Sequence, residues 1–118
     1  MASIQHIAIR SNDPEKLARY YEDVFGWTRL RSGAGGAVHL SDGHINIALL
    51  NTNGAPVGIE HFGVKIESLD EVKAGLAKHG SGLEGRPPDR AAEERISDPD
   101  GNAIDLSVRG FMGGMPKM

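Results

Sequence analysis

Apolar residues along this 118-residue chain follow two periods in turn, strand-like and then helix-like, and the same order is run through twice. Ile4, His6 and Ala8 recur at alternate positions with Ile7 and Ile9 between them, which predicts a strand with two different faces. Asp13-Pro14 predicts a helix start, with the aspartate as N-cap and the proline at the first helical position, where its missing N–H costs nothing. Leu17, Tyr20, Tyr21, Val24 and Phe25 follow at helical spacing, so both tyrosines are expected in the core, and Gly26 ends the helix. Short strands are predicted near Trp27–Leu30, Ala37–Leu40 and Ile45–Leu50, with the glycine-rich Ser32–Gly36 and the Ser41-Asp42-Gly43 turn between them.

After a linker over Asn51–Val57 the order returns. A strand over Ile59–Ile66 leads into an S-x-x-E capping box from Ser68 to Glu71, and Leu69, Val72 and Leu76 form a helical stripe that Gly80 closes. Strands are then predicted near Leu83–Arg86, Glu93–Ser97 and Asn102–Val108, separated by Pro87-Pro88 and by the turn Asp98-Pro99-Asp100-Gly101. Ile4-Gln5-His6-Ile7-Ala8-Ile9-Arg10 echoes Ile59-Glu60-His61-Phe62-Gly63-Val64-Lys65, the histidines being 55 residues apart (61 minus 6). Asp42-Gly43 echoes Asp100-Gly101 at 58 residues (100 minus 42). One βαβββ unit is therefore used twice, over about residues 3–50 and 58–108, in one α+β domain over residues 1–109. Gly110 to Met118 lacks any period and is expected to be a flexible tail.

Charge and composition narrow the function. Thirteen Lys and Arg against sixteen Asp and Glu give a formal net charge of -3, which supplies no basic field for nucleic acid. Zero cysteines exclude a disulfide scaffold, a thiolate metal site and a cysteine nucleophile. The longest aliphatic run, Ile47–Leu50, is far short of the roughly 20 residues that span a bilayer, so no membrane partner is expected. With no basic, apolar leader at the N-terminus, the expected location is the cytoplasm.

The repeated histidines carry the chemistry. A single histidine between apolar neighbours reads as a packed residue, but His6 and His61 hold the same place in both units. Each has a small residue two places on, Ala8 or Gly63, which leaves space beside the imidazole. Asp105 is an acid inside the apolar strand Ala103-Ile104-Asp105-Leu106, where an unpaired carboxylate is costly to bury. Two imidazoles and one carboxylate form a 2-His-1-carboxylate set that leaves one face of a bound ion open.

These residues are similar to a known family. Gln5-His6-Ile7-Ala8-Ile9, its repeat at Glu60-His61-Phe62-Gly63-Val64, and Asp98-Pro99-Asp100-Gly101-Asn102-Ala103-Ile104-Asp105-Leu106 resemble the vicinal oxygen chelate superfamily of glyoxalase I, extradiol dioxygenases, methylmalonyl-CoA epimerase, and fosfomycin- and bleomycin-resistance proteins. The resemblance covers residues 3 to 108. It implies paired βαβββ units forming an open, curled mixed sheet, half of a glyoxalase-like barrel, with the helices outside. It also implies a divalent metal held by His6, His61 and Asp105, although the family's usual residue at Asp105 is glutamate. The fourth ligand position falls on Ala48 or, with a slip of one strand period, on Asn46, and neither is an acid or a base.

The resemblance thus implies a metalloenzyme that chelates two adjacent oxygens of a small organic substrate, with an Fe(II) dioxygenase favoured because the ligand set is open. A Mn(II), Zn(II) or Ni(II) lyase, isomerase or transferase is the alternative, and a metal-free, ligand-sequestering protein is the rival from another class. A homodimer is expected. His39 is the candidate proton relay, and Ala8, Asn46, Ala48, Gly63 and Arg95 are the candidate pocket. Arg86, Arg90 and Arg95 are each able to bind a substrate anion, His44 reads as a turn residue, and His79 as the last turn of the second helix.

Overall fold

The computed structural model describes residues 1–87 and 92–112, and the chain forms two compact units within it. His6–Glu60 belongs to the first, and His61–Phe111 with Met1–Gln5 to the second. The fold is α+β, with parallel and antiparallel strand pairs in each unit.

The first unit runs β1 (Ser3–Ser11), α1 (Pro14–Phe25), β2 (Thr28–Ser32), β3 (Val38–Ser41) and β4 (Asn46–Asn51), in the sheet order β2-β3-β4-β1. Asp13 caps α1 by accepting the Lys16 N–H at 3.1 Å. Gly26 stops it in the left-handed conformation (φ 68°), its N–H donated to the Glu22 carbonyl. The hairpin β3–β4 is antiparallel, and β4 then lies parallel to β1 with His6 beside Asn46 and Ala8 beside Ala48. That parity sends Ile47, Leu49, Val38 and Leu40 to the helix side, where they form the core with Ala18. Leu40 and Leu49 are wholly buried, each worth about 2 kcal/mol of apolar transfer.

The helix meets this core differently from expectation. Ala18 is fully buried and Leu17 and Tyr21 pack on the core, whereas Tyr20 is 58 % exposed and Val24 and Phe25 are exposed as well. The small side chain of Ala18 lets the helix axis approach the sheet along its own line, which turns Tyr20 and Val24 outward. Tyr21 stays in contact with Trp27, ring centroids 5.0 Å apart.

The second unit contains β5 (Gly58–Lys65), α2 (Leu69–Ala77), β6 (Glu94–Ser97) and β7 (Ala103–Ser107), in the order β5-β7-β6. Ser68 caps α2 through the Glu71 N–H at 3.2 Å. The helix ends at Ala77, so His79 lies just past it and not in its last turn; Gly80 takes the left-handed conformation beyond. The strand expected at Leu83–Arg86 is absent. Glu84 and Gly85 exchange two backbone hydrogen bonds with Arg95 (2.8 and 2.9 Å), but Gly85 has φ 97° and leaves the extended path, so no ladder propagates. Arg90, Pro88 and the last six residues of the expected tail lie outside the described residues.

Candidate functional site

Each unit presents a polar face opposite its helix, and register decides what stands on it. In the second unit, β5 pairs parallel with β7, placing His61 beside Ala103 and Gly63 beside Asp105. β6 pairs antiparallel with β7 around the Asp98–Gly101 turn, placing Arg95 beside Asp105. Residues paired across strands share a face, so His61, Gly63, Asp105 and Arg95 meet there.

Asp105 is fully buried at 0 % exposure and His61 is 3 % exposed. Arg95 Nε donates to Asp105 Oδ1 at 2.5 Å, a charge-assisted bond that offsets the cost of burying the carboxylate. The other oxygen, Oδ2, stands 3.1 Å from His61 Nε2. The outer guanidinium nitrogen of Arg95 also lies 3.3 Å from His61 Nδ1. Gly63 contributes by omission, leaving no side chain over the carboxylate on β5.

The equivalent face of the first unit carries His6, Asn46 and His39, with Arg31 beside His39 in the ladder. His6, 3 % exposed, donates from Nδ1 to Asn46 Oδ1 at 2.8 Å. This bond puts the ring hydrogen on Nδ1 and the lone pair on Nε2. The Asn46 amide nitrogen reaches His39 Nδ1 through a longer contact of 3.4 Å, making a His6–Asn46–His39 relay. Burial pushes the His39 imidazole below its ordinary value, and the charge of Arg31 adds to this, so His39 is neutral near pH 7. Ala8 and Ala48 are buried beside this relay.

The two registers distinguish Ala48 from Asn46 by their strand partners. Ala8 pairs with Ala48 as Gly63 pairs with Asp105, so Ala48 is the counterpart of Asp105 and Asn46 the counterpart of Ala103. The first unit therefore has a methyl group where the second has a carboxylate.

The donors suit a divalent ion by type and by spacing. Two ligands about 2.1 Å from one ion stand about 3.4 Å apart at the tetrahedral angle and about 3.0 Å apart at the octahedral one, a range that includes the 3.1 Å between His61 Nε2 and Asp105 Oδ2. Among the described residues no group of three or more His, Cys, Asp or Glu side chains is gathered for an ion. The second unit thus offers a two-donor edge. Of the other expected candidates, His44 is in the turn, its N–H bonded to Asp42 Oδ1 at 2.8 Å, and Arg86 is exposed.

Asn46 was expected in the pocket and Arg95 as an anion binder; their bonds to His6 and Asp105 were not anticipated. For Arg95 a local signal exists: Arg95 and Asp105 are each five residues from Asp100 on either side of the turn, so counting outward pairs them. His6 and Asn46 lie on parallel strands, whose register no turn sets.

The family model described as Glyoxalase/Bleomycin resistance protein/Dioxygenase superfamily matches residues 3–106. Among solved structures, the 2,3-dioxygenase LapB from Pseudomonas sp. KL28 superposes with a TM-score of 0.67 at 21 % identity, over 88 % of this chain and 39 % of that one. The methylmalonyl-CoA epimerase from Mycobacterium tuberculosis gives 0.67 at 18 % identity, over 87 % and 85 %. The hypothetical protein BH1468 from Bacillus halodurans C-125 gives 0.70 at 16 % identity, over 89 % and 92 %. The chain spans about two fifths of the dioxygenase's length, and at these identities the likeness establishes the fold alone. No curated protein matches the chain. No helix among the described residues is long and apolar enough to cross a membrane.

Proposed function

Because the chain belongs to the glyoxalase/bleomycin resistance protein/dioxygenase superfamily, we propose that it is a metal-dependent enzyme acting on a small oxygenated organic molecule. His61 and Asp105 of the second unit and His6 of the first are the proposed ligands. The observation that carries this reading is the buried Asp105 carboxylate, one oxygen held by Arg95 and the other 3.1 Å from His61 Nε2. The Asn46 bond supports it from the first unit, since it leaves the His6 lone pair on Nε2, the atom a metal takes.

When bound, a divalent ion supplies Lewis acidity toward two adjacent substrate oxygens or, as Fe(II), the electrons for oxygen chemistry. The chain's own residues do the rest. Ala8, Ala48 and Gly63 keep the two faces free of bulk. His39, neutral and with its Nδ1 facing the Asn46 amide nitrogen, is the proposed proton relay. Ala48 supplies no carboxylate to move a substrate proton, which favours an Fe(II) oxygenase over a Mn(II), Zn(II) or Ni(II) isomerase or lyase.

Anaerobic reconstitution with Fe(II), metal analysis and nitric oxide binding test the reading. His6→Ala and Asp105→Ala are expected to lower metal occupancy; unchanged occupancy in both removes the ligand assignment, and turnover without O2 removes the oxygenase. A second reading, metal-free ligand sequestration, is favoured by one observation: Arg95 already neutralises Asp105. Ligand binding that is indifferent to chelator would select it. The proposed assembly is a homodimer, consistent with the exposed apolar side chains of Ile4, Tyr20, Val57 and Ile59; a monomer mass in sedimentation would refute it.

A further inference from the structure

Arg95 stands where a metal-binding pair would least tolerate a fixed positive charge. Its Nε holds Asp105 Oδ1 at 2.5 Å, and its outer nitrogen lies 3.3 Å from His61 Nδ1, so one guanidinium touches both donors of the edge. We propose that Arg95 is a built-in counter-cation that antagonises metal loading at His61 and Asp105, setting the affinity of the site and being turned away from His61 when an ion binds. The inference rests on the metal reading above and concerns the second unit only.

Two physical conflicts carry it. The first is charge: guanidinium is permanently cationic, and a dication bound through Asp105 Oδ2 would lie a few ångströms from it in a site that solvent scarcely reaches. The second is hydrogen inventory. Guanidinium has donors and no acceptor, so where it faces Nδ1 of His61 that nitrogen must accept, and the ring hydrogen stays on Nε2. An ion at Nε2 needs the hydrogen on Nδ1, opposite the guanidinium. Both arrangements cannot hold at once. The Nε bond to Asp105 Oδ1 is compatible with either, because it engages Oδ1 and not Oδ2. Arg95 is therefore a positioning residue with opposite effects on the two states: it neutralises the buried carboxylate without metal and opposes the ion with it.

The test is metal affinity, measured on the full chain after chelator treatment by calorimetric titration with Mn(II) and with Zn(II) alone. Arg95→Gln, which keeps a donor and removes the charge, is expected to bind about tenfold more tightly than the wild type. Arg95→Lys, which keeps the charge, is expected to bind like the wild type; Arg95→Met serves in place of the glutamine variant if that one does not fold. A purely structural role for Arg95 would weaken binding in every variant. Equal or weaker binding by Arg95→Gln, or lysine binding as tightly as glutamine, overturns the inference while leaving the metal reading intact. Absence of binding by the wild type and all variants overturns the metal reading and the inference with it.

Discussion

At the scale of single residues, the two histidines are held in different ways despite occupying equivalent places. His6 has a neutral amide on Nδ1, which fixes the ring tautomer without adding charge. His61 has a carboxylate at one nitrogen and a guanidinium at the other. Asn46 and Arg95 should therefore move metal affinity in opposite directions. Asn46→Ala removes the acceptor that orients His6, and on the usual scale of such partners it should weaken metal binding about 10- to 100-fold. Titration of the variant beside Arg95→Gln checks this, and an unchanged affinity would show that His6 needs no orienting partner. The repeated histidines and Asp105 were legible in the sequence because strand parity exposes them. The partner of His6 was not, because the register between parallel strands is set by no turn.

At the scale of elements, prediction from sequence works best where a local rule acts alone. Caps at Asp13, Gly26 and Ser68 fall as expected, since each needs only a side chain or a glycine at the right backbone angle. It failed where tertiary packing chooses among apolar residues, as at Tyr20, and where one glycine diverts an edge, as at Gly85. The turns refine the echo between halves. The acid that organises the second turn is Asp98, whose Oδ1 accepts the N–H groups of Asp100 and Asn102 at 3.0 and 2.9 Å. Asp42 does the same for His44 and Ile45, so Asp42 and Asp98 are the functional pair and the Asp-Gly match is offset from it. The Asn102 amide, with the backbone donors, holds the Asp98 carboxyl below its ordinary value of 3.8. Because the folded value is the lower one, this contribution is fully present above about pH 4 and is lost as pH falls through the folded value. The stability gap between wild type and Asp98→Ala should accordingly be larger at pH 7 than in strong acid, as urea melts at both pH values can show; a larger gap in acid would contradict it.

At the scale of the whole molecule, the two units are unequal in packing. The first has a continuous core reaching from Ala18 to Leu49, while α2 of the second buries no residue completely. Amide hydrogen exchange should therefore release α2 before α1, and protection of α2 equal to that of α1 would refute this ranking. The family and the α+β class were legible from the chain because the Asp-Pro-Asp-Gly string and the duplicated strand are local. The parallel pairings have a further consequence, which concerns time. Hairpins β3–β4 and β6–β7 close short loops, whereas β1 meets β4 and β5 meets β7 only after a long segment has been ordered between them. His6 and Asn46 are 40 positions apart, and His61 and Asp105 are 44 apart (105 minus 61). Both imidazoles thus acquire their partners at the slow, late step of each unit's assembly, and a nascent or partly folded chain carries histidines that have nothing yet to hold.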